Sequence, residues 1–145
     1  MMSTSLGAAV FAPLSATGPP QSYLAPVFIV SGLALLAFLG AGHTHRDGLY
    51  QPNVGSGIEY LRRSQQSEGN LGGSAGLFAH MYCHSMASFA VSEALAMTQD
   101  KRLDPLVRGA TRYTIAAQHP TDGGWRYPIK LSEQPIKIST PGIAG

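Results

Sequence analysis

Charge is scarce in this chain. Of its 145 residues, 12% are Asp, Glu, Lys or Arg, half the ~25% usual in globular domains. None of these precedes Arg46. The net charge is +2 and no basic run exceeds two residues, which excludes a nucleic-acid partner on electrostatic grounds. There is one cysteine, Cys83, so no internal disulfide can form. That is compatible with a reducing compartment. A cytoplasmic location is therefore favoured, with membrane association as the alternative. The first residues lack the basic segment that opens a secretory signal. Residues 1–23 are mostly Ala, Ser, Thr, Gly and Pro and read as a disordered leader. The glycine pairs Gly72-Gly73 and Gly123-Gly124 lack the Lys-Ser/Thr of a phosphate-binding loop, and neither CxxC nor HExxH spacing occurs. The chain does have apolar residues, 44% of the total, enough to argue against bulk disorder.

The longest uncharged apolar stretch, 24–42 from Leu24 to Gly42, is the case for membrane contact. Pro26 interrupts its start. The remaining 16 residues, 27–42, make a helix of about 24 Å, short of the ~30 Å bilayer core. Ser31, Gly32, Gly40 and Gly42 lower its hydrophobicity. A buried helix is the expectation and a single membrane span the alternative. In a span, Arg46, Arg62 and Arg63 would put the C-terminal side in the cytoplasm.

What is most informative is a repeat. Shifted by 53 residues, the segment 32–72 lies over 85–125 without a gap. Ala34, Ala37 and Ala41 fall on Ala87, Ala90 and Ala94; Asp47 falls on Asp100, Pro52 on Pro105, Tyr60 on Tyr113 and Gln65 on Gln118. A fixed period of this size marks a unit that buries its apolar face against a stacked neighbour. Periodicity and punctuation predict helices over 26–40, 52–64, 78–97 and 105–118. Polar links span 43–51 and 98–104, and a Gly-rich loop spans 66–76. The fold class is all-α: two helical hairpins, each an apolar helix followed by an amphipathic one, within 24–127. Three prolines in 128–145 prevent a long helix there and make an irregular tail.

Two elements carry a resemblance: Gln65-Gln66-Ser67-Glu68-Gly69-Asn70-Leu71 and Gln118-His119-Pro120-Thr121-Asp122-Gly123-Gly124-Trp125. They look like the QW element of the terpenoid-cyclase and protein-prenyltransferase α/α-toroid superfamily. The apolar helices look like the inner helices of bacterial prenyltransferase and squalene oxidase repeat proteins. The first copy has Leu71 in place of Trp, and the second is one residue longer. The resemblance implies that Gln65, Gly69, Gln118, Gly123 and Trp125 are structural repeat residues that tie helix ends together. It also implies an incomplete ring, since a toroid of this superfamily has five or six hairpins. Cyclases of the superfamily use an Asp-rich acid motif, whereas here Asp122 stands alone and Asp100 and Asp104 flank a basic pair in an expected exposed link. Prenyltransferases of the superfamily bind Zn through Asp, Cys and His.

The metal candidates are His80, Cys83 and His84, with His43 or His45 as a fourth ligand. His80 and His84 are four apart on one helix. Against a metal stands the bland alternative of a helix-start histidine, a hydrogen-bonded inner histidine and a small buried thiol. Glu93, in an apolar helix, is expected to pair with an arginine such as Arg112 or to face water. Arg62-Arg63 and Lys101-Arg102 read as solvated faces, and Trp125 as a buried packing residue. No catalytic, cofactor-binding or metal residue is assigned, and no cofactor is expected. The function expected is a non-catalytic repeat scaffold or a fragment of a toroid protein. The alternatives are a prenyl- or polyene-processing module completed by a partner, and a small single-span membrane protein. Self-association, or contact with other toroid hairpins, through the apolar helices is the expected partnership.

Overall fold

A computed structural model describes residues 24–76 and 79–125. Among them are four α-helices and no strand, so the chain is all-α. The helices are α1 (Leu24–Gly40), α2 (Gln51–Ser64), α3 (His80–Thr98) and α4 (Asp104–Ala116). The expected leader and tail, and the expected start of α3 at Phe78, lie outside the described residues.

The ends follow local chemistry. Pro52 and Pro105 sit in the first turns of α2 and α4, where a missing N–H costs nothing. After α3, Gln99 turns left-handed at φ 52° and its N–H bonds the Leu95 carbonyl, a C-cap that fills an orphan acceptor. Asp100 then accepts the Arg102 amide and starts a 3-10 turn, Lys101–Leu103, that leads into α4. α4 stops at Ala116, two residues before Gln118. The Gln118 side chain instead closes the following turn.

α1 and α3 lie side by side and parallel. Gly32 of α1 faces the backbone of Met86 and Ala87, while past the far ends His45 meets Asp100. A Cβ on Gly32 would stand 2.9 Å from the Met86 carbonyl carbon, so only glycine permits this approach. α2 packs on α1 and α4 on α3 as two hairpins. The core is divided by size. α1 and α2 contribute Leu35, Leu39, Val54 and Leu61, whereas α3 contributes Cys83, Ala87, Ala90 and Ala94. Small residues on α3 let the larger side chains of the first hairpin interdigitate closely with it.

One polar expectation changes. Asp100 is buried at 4% exposure rather than standing in an exposed link. Arg102 lies on the surface as expected, its side chain 78% exposed, and from there chelates Asp100 with Nε and Nη2 at 2.6–3.1 Å. Glu93 forms no ion pair with Arg112 and is partly exposed, in line with the water-facing alternative. Arg62 and Arg63 do lie on the surface, each bonded to Glu59, whose carboxyl they draw down to about 2, Arg62 foremost.

The Gly-rich loop contains a second forced glycine. Gly69 has φ 99°, and a Cβ there would run into the Gly109 carbonyl of α4. Gly69→Ala should lose about 2–5 kcal/mol, combining left-handed backbone strain with overpacking. Gly76→Ala, where a Cβ meets nothing within 4 Å, should stay within about 0.5 kcal/mol of the parent. Urea unfolding of the two variants checks both expectations.

Candidate functional site

The buried polar residues His84 and Asp100 mark the two ends of the joint between the hairpins. His84 is fully buried on α3. Its Nδ1 accepts the Leu71 amide at 3.0 Å, which fixes the tautomer: the ring proton sits on Nε2. Nε2–H then donates to Thr114 Oγ1 at 2.9 Å, and the Thr114 hydroxyl donates to the Ala110 carbonyl. A single neutral imidazole thus links the Gly-rich loop to α4. Burial, followed by the neighbouring His80, pushes its pKa down to about 4. Tyr113 lies against the same ring, 4.7 Å between centroids, and its hydroxyl meets His80 Nε2 at 2.9 Å. Burial also lowers the pKa of His80 and raises that of Tyr113.

Asp100 holds the opposite end of the joint. His45 Nε2 lies 3.0 Å from its Oδ2, Arg102 grips both oxygens, and Arg46 Nε stands at 3.7 Å. The Arg102 guanidinium first, and His45 second, hold the carboxyl well below the usual carboxylate range. One buried anion thereby ties the link after α1 to the link after α3.

The structural glutamines do the same job in both copies. Gln65 Nε2 donates to the Gly69 carbonyl at 3.2 Å, and Gln118 Nε2 donates to that of Gly123 at 2.7 Å. Both glycines have positive φ, 99° and 73°. The extra residue of the second turn is absorbed between Gln118 and Gly123. Gln65 makes one further bond, to the Leu106 carbonyl at 2.9 Å, which carries it across to the next hairpin. Gln118 is exposed, and no later hairpin stands against it among the described residues.

The residues after the glycines differ in the same way. Leu71 is completely buried, while Trp125 is 45% exposed. Trp125 is therefore not the buried packing residue expected. Its Nε1–H bonds the Thr114 carbonyl at 2.8 Å, and the ring borders an open groove of about 280 Å³ with Met81, Tyr82, Ser85 and Thr114. Leu71 is covered because α3 and α4 close over it.

Of the metal candidates, His80, Cys83 and His84 do share the start of α3, but both nitrogens of His84 are already bonded within the protein. His45 lies at the other end of α3, beside Asp100, and His43 packs on Tyr50. Among the described residues no group of three His, Cys, Asp or Glu side chains is placed to hold a metal ion. Likewise, among those residues no helix is long and apolar enough to cross a membrane. The sequence reading missed Thr114, the burial of Asp100 and its contact with His45. Only the Asp47/Asp100 match was a visible signal, and it marked a repeat position rather than a contact.

The arrangement defines an all-α protein of two stacked helical hairpins with polar contacts at both ends of the joint between them. Compared with known proteins, the chain matches no family model, no curated protein and no solved structure.

An imidazole whose folded pKa lies below its unfolded value takes up a proton more readily in the unfolded chain, so acid favours unfolding. His84 should therefore cost no stability above pH ~6.5 and about 1.4 kcal/mol per pH unit below it, levelling off near its folded value of about 4. The total is about 3 kcal/mol. Asp100, depressed from 3.8, adds a further loss only below pH ~4. Urea midpoints measured from pH 8 to 4 check the slope. His84→Gln should be less stable at pH 8 but flatter between pH 6.5 and 4.

Leu71→Ala should cost about 2–5 kcal/mol. Trp125→Ala should cost about 2 kcal/mol, below the ~3–5 of a buried ring. Acrylamide should quench the Trp125 fluorescence in the folded chain.

Proposed function

We propose that the chain is a non-catalytic α-helical repeat scaffold, a two-hairpin piece of the α/α-toroid type. The observation that carries this reading is the use made of the buried polar groups. His84 and Asp100 are the side chains best suited to acid–base work, since each is buried and has a shifted pKa. Both spend their bonds on joining one hairpin to the next. His84 has its acceptor nitrogen on Leu71 and its donor nitrogen on Thr114. Asp100 is saturated by Arg102 and His45.

The paired glutamine turns support a kinship with the terpenoid-cyclase and protein-prenyltransferase superfamily at the level of architecture. In both copies the Gln side chain fastens a helix end to a left-handed glycine, a role that stabilises a turn and performs no chemistry.

A direct test is to incubate the full chain with polyprenyl diphosphates and with squalene and to analyse the mixture by mass spectrometry. No product is expected. Product that scales with protein and disappears in Asp122→Asn or His84→Gln would overturn the scaffold reading in favour of an enzyme module.

A further inference from the structure

The second hairpin has an open side. On α3, Tyr82, Ser85, Phe89 and Ser92 recur at the spacing of one helix face. That face is turned away from α1, on which Cys83, Ala87, Ala90 and Ala94 pack. Tyr82 and Phe89 are 64% and 56% exposed. The hydroxyls of this hairpin close onto their own helices: Ser92 donates to the Ser88 carbonyl, Thr111 to that of Val107 and Thr114 to that of Ala110. What remains to be covered is aromatic, and the groove of Met81, Tyr82, Ser85, Thr114 and Trp125 lies at its start.

Position 85 restricts what can cover it. Shifted by 53 residues, Gly32 falls on Ser85. Gly32 is where α3 approaches α1, and a Cβ there would stand 2.9 Å from the Met86 carbonyl carbon. Ser85 carries that Cβ. A further helix, whether of another repeat or of a second copy, therefore cannot pack on α3 as α3 packs on α1. An extended segment needs no such backbone approach, because alternate side chains point to one side and hold its backbone off the helix.

The chain brings such a segment to this place. Trp125, the last described residue, is pinned at the groove by the bond from its Nε1–H to the Thr114 carbonyl. Residues 126–145 follow it and open Arg126-Tyr127-Pro128-Ile129-Lys130-Leu131. Here apolar residues alternate with proline or lysine, the pattern of an extended segment with one apolar side. At ~3.3 Å per residue, 127–131 advances about 13 Å. At ~1.5 Å per residue, Tyr82 to Phe89 covers about 10 Å of α3, so the two lengths match. Glu93, the one carboxylate of α3, lies a turn beyond Phe89 and is partly exposed; its charge complements Lys130.

We infer that the segment 126–131 lies extended along this side of α3, with Ile129 and Leu131 against Tyr82 and Phe89, and caps the second hairpin. This goes beyond the scaffold reading: the chain itself covers one end of the stack, in the place of a further repeat.

The test uses the full chain. Nuclear Overhauser contacts are sought between the ring protons of Tyr82 and Phe89 and the methyl groups of Ile129 and Leu131, with Trp125, the one tryptophan, as a fluorescent reporter. The contacts are expected in the parent. They should be lost in the double variant Ile129→Asp, Leu131→Asp, with the helical circular dichroism spectrum kept and acrylamide quenching of Trp125 increased. Phe89→Ser, at an exposed position, should increase the quenching as well. Absence of the contacts in the parent overturns the inference, and so does quenching that neither variant changes. An equal mixture of isotope-labelled and unlabelled chains separates the two sources of the segment. Contacts between labelled and unlabelled chains would mean that a second copy supplies it, and would overturn the cap. These outcomes leave the scaffold reading intact, because that reading fails on turnover and not on the position of the segment.

Discussion

The hydrogen bond from the Leu71 amide to His84 Nδ1 is the contact on which the rest of the structure depends. It forms only when the Gly-rich loop folds down on α3, the imidazole is neutral and Thr114 takes the other ring nitrogen. Each condition recruits another part of the chain. The loop reaches its place because Gly69 can pass under Gly109 and Gln65 can bridge to Leu106. The ring stays neutral because Tyr113 and the surrounding core exclude water. A buried polar network of this sort is favourable only when every member is satisfied, and here the first joint leaves neither ring nitrogen of His84 wanting. His45 is less well served. Its Nδ1 is buried with no partner among the described residues, and the bond of its other nitrogen to Asp100 has to outweigh that loss.

Function follows from how the polar groups are distributed. A catalytic carboxylate or imidazole needs a lone pair or proton free to meet a substrate. In this fold the strongest candidates are turned inward and bonded to other groups of the protein, His84 to Leu71 and Thr114 and Asp100 to His45 and Arg102. The first hairpin spends its leucines on the joint, and the second carries hydroxyls that close onto their own helix.

Much of the architecture was legible in the sequence. The 53-residue shift placed both hairpins, and proline and glycine punctuation set most helix ends within two residues. The glutamine turns were visible as well, because Gln65/Gly69 and Gln118/Gly123 recur as a local pattern. What could not be read were contacts between residues far apart in the chain. Asp100 looked exposed because it sits in a charged link, but its burial comes from His45, 55 residues away. Trp125 looked buried because tryptophan usually is, yet its burial needs a covering helix on the forward side. The same dependence separates it from Leu71, its counterpart one repeat earlier.

Native-state hydrogen exchange at the Leu71 amide tests the central claim most directly. If the His84 bond closes the joint, this amide should exchange only through global unfolding, at the same free energy as the slowest amides of α3, although it lies in a glycine-rich loop. In His84→Gln its protection should fall well below that of α3. Exchange of Leu71 in the parent at the rate of its exposed loop neighbour Ser74 would contradict the account.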